Sequence, residues 1–255
     1  MLGFGMPIFE KYLGIHPYIV KGNTQILSTT IKKVFQIDGS TLSDGITIDS
    51  VTFESNCGLI GDKVSGESQI INTTFFGTRS MYFSKYSSPL TIARCGFNDK
   101  VYLNDIICED RFSLIDVIFK KSLSMKSFRA NQKPEFSRIE FCDSLYLNEA
   151  RFPEGVDLRR CNFDNVKAIF IENMEYPDGK FLINWDQIKS NGTPRIKLSK
   201  ESENMRDNYD RLVVIYEKLR DNYLALGKKS DADDVMYELA EYKNILVGGF
   251  FHSLY

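Results

Sequence analysis

The chain has 255 residues, 43% of them apolar, with 32 basic against 34 acidic side chains and a formal net charge of −2. That is enough for one elongated domain with an appendage, and too apolar for a disordered chain. The charge balance carries no signature for nucleic acid or an anionic membrane surface, so no nucleic-acid partner is expected.

The five cysteines, Cys57, Cys95, Cys108, Cys142 and Cys161, include no CxxC pair. Cys57, Cys95, Cys108 and Cys161 occupy inward places of an eleven-residue template and read as small buried apolar side chains in a reducing compartment, and the five form no evident disulfide frame or zinc site. His16 and His252 stand at opposite ends of the chain, so no metal and no cofactor is expected. The start, Met1-Leu-Gly-Phe-Gly5, lacks the basic region and apolar core of a signal peptide. The sequons at Asn72 and Asn191 then carry little weight. The expected location is the cytoplasm or the cytosolic face of a membrane.

Residues 1–45 are rich in large apolar side chains, among them Phe4, Phe9, Tyr12, Leu13 and Tyr18, and stand apart from the pattern that follows. They are expected to form an N-terminal cap, with a short helix from Ile8 to Leu13 and irregular strands from Ile26 to Ile37. Such an apolar cover also suits a homodimer joined through an end cap.

From Ile46 to Trp185 one template, Ile46-Thr-Ile48-Asp-Ser-Val51-Thr-Phe53, repeats every eleven residues, read without an insertion. Its first, third, sixth and eighth places are apolar. The eighth is Phe53, Val64, Phe75, Tyr86, Phe97, Cys108, Phe119, Ala130, Phe141, Phe152, Phe163, Met174 and Trp185. The third fails only at Lys180, while the first is polar at Ser68, Arg79, Lys167 and Asp178. Larger rings recur every twenty-two residues, from Phe53 through Phe163 to Trp185, which implies two repeats per turn and a ladder of rings along the axis. Apolar pairs with a period of two, separated by a corner, describe short extended faces. An eleven-residue period also fits a right-handed coiled coil, but Gly96, Pro134, Pro153 and Gly155 and the abundance of Thr, Ser, Asn, Val and Phe oppose helix. The expectation for 46–188 is a parallel β-helix of six to seven turns, roughly 30 Å long at about 4.8 Å per turn.

Leu145-Tyr-Leu-Asn-Glu-Ala150-Arg-Phe152 and Val156-Asp-Leu-Arg-Arg-Cys161-Asn-Phe163 resemble the looser members of the pentapeptide-repeat family. The resemblance implies a mainly β fold, a right-handed quadrilateral parallel β-helix of about 22 residues per coil. Some members of that family imitate the negative surface of DNA and bind type II topoisomerases. Here seventeen basic and twenty acidic residues between Ile46 and Ile188 leave the rod evenly charged, so DNA mimicry stands as an alternative only.

Residues 189–200, with Lys189-Ser-Asn-Gly-Thr-Pro194, read as a linker. The apolar places Tyr209, Leu212, Tyr216, Leu219, Tyr223 and Leu226 then predict a helix ending at Gly227. Ser230-Asp-Ala-Asp233 caps a second helix with the stripe Ala232, Val235, Met236, Leu239 and Tyr242 or Lys243. The resulting C-terminal α-helical hairpin, 201–247, resembles a single tetratricopeptide unit at Tyr216, Leu219, Tyr223, Gly227, Ala232 and Met236. One such unit buries its faces only against something else: the rod end, a second copy or a partner. The tail, 248–255, continues an apolar run from Ile245 that is too short to span a bilayer. The order of coils, a late tryptophan and this hairpin is similar to the cytosolic part of some prokaryotic membrane proteins with an ion-channel domain, which implies a regulatory or assembly role beside a membrane protein.

Phosphate loops, GxSxG elbows and HExxH pairs are missing from the sequence, and Glu109-Asp110 and Asp233-Asp234 read as solvated or capping charges. The expected function is a non-enzymatic interaction or scaffold module, a rigid rod presenting the hairpin to a protein partner. Tyr209, Tyr216, Tyr223, Tyr237 and Tyr242 are the expected contact residues, because tyrosine supplies contact area at low entropic cost. A β-helix carbohydrate-active enzyme is the remaining alternative.

Overall fold

Every eleventh residue from Ser28 to Glu149 has its backbone in the left-handed region, through Gly39, Ser50, Gly61, Asn72, Phe83, Arg94, Asp105, Asp116, Ser127 and Arg138. This is the fifth place of the template, between the two apolar pairs. Each such residue turns an extended segment through a corner, and the chain closes after twenty-two residues, as in the parallel pairing of Ser68 with Leu90 and Leu90 with Phe112. The computed structural model describes residues 2–5, 8–9, 13–15, 17–189 and 194–252, and side chains for 14, 17–189 and 194–243.

The result is a mainly β parallel solenoid of about seven turns with four faces. The first face stacks Leu2–Gly5, Thr24–Leu27, Ile46–Asp49 and Ser68–Ile71. The second stacks Ile8–Phe9, Thr30–Ile31, Thr52–Phe53 and Thr74–Phe75, and the long strands Leu90–Phe97, Phe112–Phe119 and Glu135–Phe141 run across both. Phe35–Asp38, Cys57–Ile60, Arg79–Tyr82 and Val101–Tyr102 belong to the third face; Thr41–Leu42, Lys63–Val64, Lys85–Tyr86 and Ile107–Cys108 belong to the fourth. In-register stacking puts like on like, so the rings of Phe53, Phe75, Phe97 and Phe119 lie nearly parallel with centroids 4.7 to 5.1 Å apart. Phe141 and Phe163 continue the ladder at 5.8 and 5.2 Å, the last ring tilted by 38°.

Several expectations need correction. Residues 1–45 are not a separate cover: Leu2 pairs with Thr24 and Thr24 with Ile46 in the register of the whole solenoid. The helix expected from Ile8 to Leu13 is strand at Ile8–Phe9 and again from Leu13, with 10–12 outside the described residues. The template in fact runs back through Leu42, Ile31, Val20 and Phe9 at its eighth place. It is masked by polar sixth places, Ser40 and Thr29, both buried. At this place a small hydroxyl or thiol returns to the carbonyl two residues earlier, as Ser40, Thr73, Ser84 and Cys95 do, so polarity there does not break a coil.

The repeat is also not free of insertions. Glu140 still faces Asn162, but Ser144 pairs with Ala168, Arg151 with Glu175 and Val156 with Phe181. Extra residues therefore enter after Asn162 and again after Glu175. Lys167, Asp178 and Lys180 then leave the template places that had called for apolar residues, and Met174 leaves the ring column beside Phe152. Trp185 leaves the ladder too: it starts helix α1, Trp185–Ile188, and meets Tyr223 edge-on at 6.3 Å.

The expected linker, 189–200, also contributes to the core. Ile196 is fully buried and bridges to Ile169, whose N–H donates to the Arg195 carbonyl at 2.7 Å; 190–193 lie outside the described residues. Helix α2, Met205–Ala225, opens on Asn204, whose side chain accepts from the Arg206 N–H at 3.0 Å, and stops before Gly227 at φ 72°. Helix α3, Lys229–His252, is five residues longer than the hairpin expected to end at 247, and its backbone takes in most of the expected tail.

Candidate functional site

The expected contact surface is mostly used inside the molecule. A solenoid end leaves a coil of unpaired backbone groups, and α2 supplies their partners side chain by side chain. Asn222 imitates a neighbouring strand: its Nδ2 donates to the Phe181 carbonyl at 2.9 Å and its Oδ1 accepts from the Phe181 N–H at 3.2 Å. Tyr223 donates its hydroxyl to the Ile183 carbonyl at 3.2 Å. Lys218 Nζ donates to the Met174 carbonyl at 2.6 Å and lies 4.5 Å from the Tyr176 ring centroid, its ammonium held below the ordinary lysine range by burial. Arg211 clamps Glu172 with two bonds of 2.6 and 2.9 Å.

Of the five tyrosines expected at a partner interface, Tyr216 and Tyr223 are fully buried. Tyr216 donates to Glu238 Oε1 at 2.7 Å, and burial, then the adjacent carboxylate, pushes its hydroxyl well above the usual range. Tyr242 donates to the Ile196 carbonyl at 2.8 Å, and half-buried Tyr209 packs on the core. Only Tyr237 is open to solvent, at 68% exposure. The stripe read as a recognition surface therefore holds the helical pair to the rod; a buried ring cannot meet a partner without dismantling that seat.

Several outward charges along the coils pair with one another. Lys85 pairs with Glu109 at 2.8 Å, Lys126 with Glu149 at 3.5 Å and Arg151 with Glu175 at 3.5 Å. Asp110 accepts from Gln132 Nε2 at 2.9 Å. Cys57, Cys95, Cys108 and Cys161 are buried as expected, and desolvation pushes the Cys57 and Cys95 thiols up to about 11. Among the described residues no group of three or more His, Cys, Asp or Glu is placed to hold a metal, and no helix is long and apolar enough to cross a membrane. His16 and the His252 side chain lie outside the described residues.

The feature that sequence reading missed is at a corner. The left-handed column between the third and fourth faces is Gly39, Gly61, Phe83, Asp105, Ser127 and Glu149. Glycine or a polar residue suits a positive φ on a wet corner; Phe83 is neither, with φ 54° and 69% of its surface exposed. That conformation costs a bulky residue roughly 1–2 kcal/mol, and the exposed ring returns little of the burial energy a phenylalanine can supply. Tyr82 lies beside it at 6.3 Å and Tyr102 lies 5.7 Å beyond, while Ile60 is paired with Tyr82 one coil away. Burial, then the neighbouring Tyr102, raises the Tyr82 hydroxyl. The adjoining outward column, Gln36, Gly58, Ser80, Tyr102 and Ser124, is uncharged. The fifth-place column was readable in the sequence, and Phe83 is its exception.

No family model, no curated protein and no solved structure matches the chain.

Proposed function

We propose that this protein is a non-enzymatic interaction module, a rigid solenoid closed at one end by its helical pair and engaging a protein partner through the aromatic corner at Phe83. The observation that carries this reading is the combination at Phe83 of a left-handed backbone and an exposed ring, which the fold itself does not need. A rigid, uncharged platform of Ile60, Tyr82, Phe83 and Tyr102 supplies contact area with few rotors to immobilise. The eleven-residue half coil further supports placing the solenoid with degenerate pentapeptide-repeat proteins, and its free thiols are compatible with the proposed cytoplasmic location.

The test is affinity capture from the host with the tagged chain, comparing wild type, Phe83→Asn and Tyr237→Ala. Loss of the partner with Phe83→Asn alone supports the corner; loss with Tyr237→Ala alone returns recognition to the helices, and identical capture by all three removes both surfaces. A second reading, a regulatory or assembly domain of a membrane protein, is favoured by α3, whose backbone stays helical from Ile245, where the apolar run begins, to His252. It predicts capture from detergent-solubilised membranes and none from the soluble fraction.

A further inference from the structure

The coil that carries Phe83 is exceptional inside as well as outside. Where neighbouring coils place Phe35, Cys57, Val101 and Leu123 toward the core, this one places Arg79, only 1% exposed. Its Nη1 donates to Cys57 Sγ at 2.7 Å and its guanidinium carbon lies 5.5 Å from the Phe75 ring centroid. Among the described residues Nε and Nη2 have no partner. One coil away Asp62, also 1% exposed, accepts from the Ser40 N–H through Oδ1 at 2.8 Å, while Oδ2 has no partner among the described residues. Nor do those residues supply one for the hydroxyl of fully buried Tyr86. The Asp62 N–H bonds Ser84 Oγ at 3.3 Å, Tyr86 pairs with Val64 two residues beyond Asp62, and Arg79 opens the strand that leads to Ser84, so the orphaned atoms lie on two adjacent coils around one stretch of the interior.

A buried charge without a complete hydrogen-bond shell is among the most unfavourable arrangements a core can hold. What completes this one has to accept from a guanidinium, donate to a carboxylate and bond a phenol. A metal cation is repelled by the positive charge of Arg79, and an anion by the negative charge of Asp62. A small neutral dipole meets all three requirements, and water is the one that fits buried polar sites of this kind.

We infer that the solenoid holds a buried water site between Arg79, Asp62 and Tyr86, in which one or two waters accept from Arg79 Nε or Nη2, donate to Asp62 Oδ2 and bond the Tyr86 hydroxyl. The two charges then form a water-separated pair inside the coil. Asp62 in turn donates its N–H to Ser84 Oγ at 3.3 Å, and Ser84 follows Phe83 directly, so the hydrated cluster backs the corner that displays the ring.

The test uses the full chain in two measurements. A crystal structure that orders solvent shows water within hydrogen-bonding distance of Arg79, Asp62 Oδ2 and Tyr86 Oη; a direct Arg79–Asp62 ion pair, or a chloride recognised by its anomalous signal, overturns the inference. Thermal unfolding of Tyr86→Phe separates the cases independently. If water bonds the hydroxyl, its removal lowers Tm by about 2–4 °C. An unchanged or higher Tm, the result of deleting a bare buried hydroxyl, overturns it.

Discussion

At Phe83 the side chain and the backbone make opposite demands: the corner needs a residue at ease with positive φ, and the exposed ring is out of place there. Phe83→Asn is therefore expected to keep or raise stability, by up to about 1 kcal/mol in urea unfolding, while the aromatic patch is lost. A fall of similar size would mean that the ring packs for the fold's benefit. Asp62 makes a second demand of this kind. Burial, opposed by the Ser40 N–H, raises its carboxyl from 3.8 to about 6. Between those values the folded chain holds a proton that the unfolded chain has released, so this group's contribution to stability falls as pH rises from about 4 to about 6, by up to about 3 kcal/mol. The inferred water solvates the charge and shifts the titration downward within that window. Asp62→Asn removes this slope, which stability measured across the window will show. Asp62 was not legible as special in the sequence, because it occupies a sixth place that tolerates polar groups. Phe83 could be picked out only by following the fifth place, where it is the one aromatic residue among glycine and polar side chains from Ser28 to Glu149.

The helices show how far a pattern reaches and where it ends. Apolar spacing and Gly227 located α2 and the turn, and Ala232, Val235 and Leu239 proved to be the buried face of α3. What the pattern could not report is which surface the stripe covers, because a helix packed on a solenoid end and one waiting for a partner carry the same period. The discriminating residue is polar: Asn222 is fully buried inside the stripe and takes both backbone groups of Phe181. Asn222→Ala leaves that N–H and C=O without partners and is expected to cost roughly 2–4 kcal/mol in urea unfolding. Hydrogen exchange at the Phe181 amide accelerates at the same time. Wild-type exchange at that amide in the variant would mean that the helical pair is not what closes the coil.

Over the whole molecule each coil meets only its neighbours, so the ends carry a burden that the middle does not. Removing residues 203–255 bares the last coil at Phe181 and Ile183 and is expected to turn the rod into a self-associating species by size-exclusion chromatography. A monodisperse truncated rod would contradict the capping role. The four-faced solenoid could be read from the sequence because stacking repeats one demand every twenty-two residues; its N-terminal coils and late insertions could not, because polar sixth places and extra residues disturb the count without disturbing the fold.

The in-register stack also sets how the molecule responds to load. Tension applied to the strand Leu2–Gly5 works on one coil at a time, because among the described residues it pairs with Thr24–Leu27 and that strand with the next. A protein that shears as a block gives way once, whereas this one peels, each coil releasing a contour of about 75 Å at 3.3–3.6 Å per residue. From Phe53 to Phe119 each step separates one phenyl ring from the next. Pulled from that end, the chain would pay out like rope from a coil, in equal lengths as far as Asn162 and in longer ones beyond it.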